Sequence, residues 1–144
     1  VLAALDGLSK GGFTRSNVGT PNLGRSASPV ARFGAAVLPS RWTALLHLLT
    51  RADIPVNTTA LGMAGQPPLE IDLEPLRPDA VVADLVYAPL DTPLLAAARS
   101  RGLATADGLG MLLHQAVRGF SLWFGVRPEV TPELRALIEV DLRK

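Results

Sequence analysis

Residues 80–87, Ala-Val-Val-Ala-Asp-Leu-Val-Tyr, constrain the fold more than any other stretch of the chain. A nearly continuous apolar run of this length, closed by Pro89, is the pattern of a strand buried on both faces of a parallel sheet. A helix follows at once. Thr92 supplies an N-cap, Pro93 occupies the first helical position, residues 94–101 are helical in composition, and Gly102 stops the helix as a left-handed cap. A parallel strand leading directly into a helix is the first half of a strand-helix-strand crossover, and the next strand must return beside it.

The rest of the sequence extends that alternation. Residues 35–38 read as a short buried strand, and Ser40 caps a helix through Arg51 with Trp42, Leu45, Leu46 and Leu49 on one stripe. Residues 53–59 read as a strand in which Pro55 removes one ladder donor, and residues 62–68 as a loop. Residues 103–105 form a short strand before Asp107-Gly108, after which a long helix runs to Phe124 and is closed by Gly125. Thr131-Pro132-Glu133 begins a further helix with Leu134, Leu137, Ile138 and Leu142 facing inward. Residues 1–5 have the composition of a helix end, so the expectation is an α/β, Rossmann-like parallel sheet with helices on both faces, incomplete at its amino terminus. Ligands of such sheets bind beyond the carboxyl ends of the strands.

Composition narrows the function classes. The 144 residues suit one domain, read as a partial dinucleotide-binding domain with carboxy-terminal helices. Lys and Arg number 14 against 13 Asp and Glu, and the basic residues are scattered, which argues against a nucleic-acid surface. The chain has no Cys, and its two His, His47 and His114, stand without neighbouring ligands, so neither a disulfide framework nor a metal site is expected. No apolar run is long enough to span a bilayer, and the expected setting is the reducing cytoplasm. Residues 9–29 are rich in Gly, Ser, Asn, Thr and Pro, show no period, and read as loop.

Four places can carry chemistry. Residues 56–63 combine small polar side chains with Gly62 at a strand exit, where a ligand finds hydroxyl and amide partners; an ordinary Asn/Thr turn explains them equally well. Tyr87, the only Tyr, offers a phenol at the end of the strongest strand, although strands favour aromatics for packing alone. On the helix that follows Asp107, Gly108, Met111, Gln115 and Gly119 fall near one line at about 100° per residue. Leu109, Leu113, Ala116, Phe120 and Phe124 form a separate apolar stripe. Gly108 would let a flat ligand approach the first turn, Met111 offers a soft apolar surface, and Gln115 a donor and an acceptor. A glycine-rich helix start packed on a neighbour is the alternative. Within residues 9–29, Arg15, Asn17, Thr20 and Arg25 can line an anionic site or simply decorate a loop.

Three segments in this order carry a resemblance. Asn57-Thr58-Thr59-Ala60-Leu61-Gly62-Met63 comes first, then residues 82–90 with Thr92-Pro93-Leu94-Leu95, then Asp107-Gly108-Leu109-Gly110-Met111-Leu112 with Gln115. Over residues 56–137 the chain is similar to the shikimate dehydrogenase family, whose carboxy-terminal domain binds NADP. The resemblance implies an enzyme of two α/β domains that reduces 3-dehydroshikimate to shikimate with NADPH on the route to chorismate and the aromatic amino acids. It implies that Leu85 and Gly108 contact the nicotinamide end of the cofactor, that Thr58, Thr59 and Met111 line its groove, and that Asn17 corresponds to a cofactor-binding Asn. Tyr87 and Gln115 would reach the substrate. The family's catalytic Lys and Asp belong to an amino-terminal substrate domain, so no catalytic residue is expected in this chain. Its glycine-rich dinucleotide turn has no counterpart here, which removes the helix N-terminus for the pyrophosphate, and the Arg of its Asn-Arg-Thr turn is absent, which keeps NAD open beside NADP; a quinate-or-shikimate relative that uses NAD is the nearest enzyme alternative. A non-catalytic, degenerate binding module is the remaining alternative. Family-like sequence resumes at Ala31-Arg32-Phe33-Gly34, so damage to the reading frame is one explanation of residues 9–29.

Overall fold

The computed structural model describes residues 16–20 and 37–142. Two compact units divide the chain, one of Val1–Ala52 with Glu74–Arg77, the other of Asp53–Leu73 with Pro78–Lys144. In the first unit, strand β1 (Ser16–Thr20) pairs in parallel with β2 (Val37–Arg41), Ser16 opposite Val37 and Thr20 opposite Arg41. The expected loop over residues 9–29 is therefore wrong at its centre. A strand forms on the sequence as written, which removes the reason for suspecting a damaged frame. Composition failed there because Asn and Gly disfavour a strand only mildly, Val18 and Thr20 favour one, and pairing with a neighbour overrides so weak a preference.

The same pairing displaces the next element. The helix expected from Ser40 starts late, because Ser40 and Arg41 extend β2. A single 3-10 turn (Trp42–Ala44) and a short helix α1 (Leu45–Leu49) follow. Of the expected stripe only Leu49 is buried, while Trp42 and Leu46 are exposed. Of the strand expected at residues 35–38, Val37 and Leu38 lie in β2 and the first two lie outside the described residues.

The second unit is built on a parallel sheet ordered β3 (Val56–Asn57), β4 (Val81–Asp84), β5 (Ala104–Ala106). Pro55 shortens β3 but does not end the pairing, since the carbonyls of Asp53, Pro55 and Asn57 accept from the amides of Val81, Ala83 and Leu85 at 3.0, 2.9 and 3.0 Å. A proline lacks a donor and keeps its acceptor. In β4 burial alternates. Ala80, Val82, Asp84 and Val86 are buried while Val81, Ala83 and Leu85 are half-buried, so one face of the strand is fully covered rather than the expected two.

Helix α2 (Pro93–Ser100) packs on β4 and β5 through Leu94, Leu95 and Ala98. Thr92 caps it as expected, its hydroxyl oxygen accepting the Leu95 amide, and Gly102 at φ 74° turns the chain out of it. The connection from β3 to β4 is irregular, with Leu69 and Leu73 buried and the Leu73 carbonyl accepting from the Arg101 guanidinium.

Helix α3 (Gly108–Phe124) ends at Gly125, φ 70°, and helix α4 (Pro132–Leu142) follows, both close to their expected spans. Their apolar stripes are not buried as expected. On α3 only Leu109 of its stripe is fully covered, the exposed Phe120 and Phe124 rings touch at a tilt of 42° with centres 4.5 Å apart, and Trp123 is 80% exposed. On α4 no residue is buried and Leu137 is 67% exposed. Helical periodicity marks a face that wants cover, but it does not say that the same stretch of chain supplies it.

Candidate functional site

Because β3, β4 and β5 run parallel, their carboxyl ends share one edge of the sheet. Residues 58–63, 85–89 and 107–108 leave from that edge, and each exit is held by side-chain hydrogen bonds to backbone. The first two are joined by a buried polar cluster. Oδ1 of Asp84, a residue 1% exposed, accepts from Asn57 Nδ2 at 2.9 Å and from the Val86 amide at 3.0 Å. Its Oδ2 accepts from the Thr92 hydroxyl at 2.8 Å.

Asn57 sends its second amide hydrogen to the Leu61 carbonyl at 3.0 Å, and its Oδ1 accepts from the amide and the hydroxyl of Thr59 at 3.0 and 2.8 Å. A buried carboxylate is expensive unless donors surround it, and here three do. Among the described residues no buried side-chain polar atom lacks a partner.

The third exit is built from Asp107, which caps α3. Its Oδ1 accepts from the amides of Leu109 and Gly110 at 3.0 and 3.4 Å, and its Oδ2 meets Arg135 Nη2 at 2.6 Å. Arg135 also pairs through Nε with Glu139 on α4 at 2.8 Å. Partial burial pushes the Asp107 carboxyl up. The Arg135 hydrogen bond and charge, with the two capping amides, outweigh burial and hold it below the usual aspartate value. Asp107 in turn raises Arg135.

The Gly108 amide donates to the Val86 carbonyl at 3.3 Å. A Cβ at residue 108 would lie 2.3 Å from the Leu85 carbonyl oxygen and 2.6 Å from that of Val86, so α3 begins in contact with the end of β4 and only glycine fits. The sequence suggested bare backbone for a ligand at this position. The direction that a side chain would take from Gly108 is filled by the protein's own strand.

Leu85, Tyr87 and Gly108 therefore meet at one edge, with Thr58 and Thr59 on the adjoining exit. Leu85 is half-buried and its amide is paired to Asn57, whereas Tyr87 is 41% exposed. The Thr59 hydroxyl is engaged within its own turn, donating to Asn57 and accepting from the Leu61 amide at 3.1 Å. Along α3, Met111 is half-buried and Gln115 exposed, and among the described residues neither the Gln115 nor the Tyr87 side chain has a hydrogen-bond partner. Asn17 lies in β1 of the other unit, opposite Leu38. The polar cluster is what sequence reasoning missed. Its one signal was a single charged residue, Asp84, in the middle of the apolar run at 80–87.

No group of His, Cys, Asp and Glu able to hold a metal occurs among the described residues, and none of their helices is long and apolar enough to cross a membrane.

Comparison with known proteins bears directly on this edge. Residues 108–137 match the family model described as the shikimate 5'-dehydrogenase C-terminal domain. A shikimate dehydrogenase (NADP(+)) of Rhodopseudomonas palustris (strain BisB18) is 61% identical over 140 residues, 97% of this chain and 50% of the relative. One from Nitrobacter hamburgensis is 61% identical over 98% of the chain and 50% of its own length. The chain thus spans about half the length of the curated relatives it matches. Among solved structures, quinate dehydrogenase from Corynebacterium glutamicum in complex with NAD superposes with a TM-score of 0.80 at 32% identity, covering 91% of this chain and 48% of that one. Shikimate 5-dehydrogenase from Thermus thermophilus, in complex with NADP(H) and shikimate, gives 0.71 at 27% identity over 94% and 48%.

Proposed function

Since the chain belongs to the shikimate dehydrogenase family, we propose that it forms the NADP-binding half of an enzyme that reduces 3-dehydroshikimate to shikimate. The observation that carries this is the 61% identity, over 97% of the chain, to a relative named for that reaction and that cofactor. The donor set at the sheet edge fits both ligands. An exposed phenol and an exposed carboxamide, Tyr87 and Gln115, suit a ring acid bearing several hydroxyls. The half-buried thioether of Met111 suits the flat face of a nicotinamide.

NADPH, when bound, supplies the hydride. The chain's own residues bind and orient. Leu85 and Gly108 form the floor at the nicotinamide end, Thr58, Thr59 and Met111 line the groove, and Tyr87 and Gln115 hold the substrate's hydroxyls. Proton transfer to the carbonyl oxygen falls to a Lys and an Asp of a separate substrate domain. The exposed apolar faces of α3 and α4, with Trp123 and Leu137 uncovered, support a second half that packs there. Such an enzyme works in the cytoplasm.

The likeness to a quinate dehydrogenase solved with NAD favours a second reading, in which the whole protein prefers quinate and NAD. The higher identity to NADP-named relatives argues for the first. Initial rates of the full-length protein with shikimate or quinate, each with NADP or NAD, decide between them. Highest kcat/KM for shikimate with NADP is expected, and highest kcat/KM for quinate with NAD would replace the proposal by the second reading.

A further inference from the structure

We propose that Asp84 is a positioning residue that sets the ligand-facing exits of β3 and β4 as one rigid unit; its functional consequence rests on the reading above. The geometry is specific to that task. One carboxylate oxygen holds both the Val86 amide, within the β4 exit, and Asn57 Nδ2, at the end of β3. Asn57 then fixes the β3 exit at two further points, the Thr59 amide and the Leu61 carbonyl. The other oxygen takes the Thr92 hydroxyl, which itself caps α2. Three chain segments, at 57–61, 84–86 and 92–95, the first of them distant in sequence from the other two, thus meet on one buried acid.

A carboxylate suits this point because it accepts only, in several directions at once, from donors of three different kinds. A carboxamide is a poor replacement. Asn at 84 could keep its oxygen on Asn57 and the Val86 amide only by reversing the third link, its N–H donating to a Thr92 oxygen that already accepts from the Leu95 amide and leaving the buried Thr92 hydroxyl hydrogen without its acceptor. Tyr87 lies three residues beyond Asp84, and Leu85 and Val86 bear the contact with Gly108, so a loosened exit moves the groups assigned to substrate and cofactor together.

The test is Asp84→Asn in the full-length protein, with Leu103→Ala as a control for lost stability, Leu103 being a buried core residue outside the cluster. Two readouts are taken at a temperature where both variants remain folded. Asp84→Asn should raise the KM values for shikimate and for NADP about tenfold and speed amide hydrogen exchange in residues 58–62 and 85–88 by a similar factor. Leu103→Ala should lower Tm while leaving both KM values and those two segments near wild type. If Asp84→Asn does not fold, Asn57→Ser cuts the bridge while leaving Asp84 two donors, and it should speed exchange in residues 58–62 and raise KM in the same sense. The proposal is overturned if the cluster variant changes KM and local exchange no more than Leu103→Ala does. If the wild-type protein turns over no shikimate, the functional reading has failed, and exchange in the two segments still decides the role of Asp84.

Discussion

Gly108 shows how one residue can answer to two demands at once, a ligand's approach and the packing of its own backbone. Its position at the start of a helix after a strand marked it in the sequence, and a ligand's approach was the natural explanation. The packing at this point demands glycine as well, since any Cβ there meets two carbonyl oxygens at 2.3 and 2.6 Å. Backbone cannot step aside as a side chain tip can, so Gly108→Ala must push the first turn of α3 off the end of β4. A loss of about 1–3 kcal/mol is expected from overpacking, read as a shift in the denaturant midpoint, and unchanged stability would mean that the turn has room. Gln115 is the opposite case, its side chain exposed and without a hydrogen-bond partner among the described residues. Gln115→Ala in the full-length enzyme should weaken shikimate binding by about 1–3 kcal/mol with little change in NADP affinity. A raised cofactor Kd with an unaltered shikimate KM would reassign that helix face. Asp84 was visible only as an anomaly, because a hydrogen-bonded cluster joins residues that no local pattern connects.

At the scale of elements, what was legible depended on whether local chemistry and tertiary pairing agreed. Thr92, Pro93 and Gly102 delimit α2 by capping alone, and the helix lies where they place it. Ser40 carried an equally good cap signal, yet β2 claims it through its ladder with β1, a partner the local sequence does not announce. Asp107 joins two elements, its one oxygen capping α3 and its other held by Arg135 of α4. Its native pKa lies below the unfolded value, so its contribution to stability is complete above about pH 4 and is lost as pH falls through the lower native value. Asp107→Asn should therefore lower Tm at neutral pH, and the gap from wild type should close as pH drops below about 4. Thermal melts across that range check the sign, and a gap that widened on acidification would show that the Arg135 link does not stabilise the folded state.

For the molecule as a whole, the parallel sheet and the likeness to a dehydrogenase family were readable because they rest on strand runs, caps and three ordered segments. What covers α3 and α4 was not readable, since periodicity reports an apolar face and not its partner, and the chain spans about half the length of its relatives. The central claim is that these 144 residues hold and orient the ligands while the proton is moved by residues elsewhere in the protein. NADPH formation from shikimate and NADP, followed at equal molar concentration for the full-length protein and for the purified 144-residue chain, tests it most directly. Steady turnover by the full-length protein and none by the chain alone is the expected result, and turnover by the 144-residue chain would contradict it.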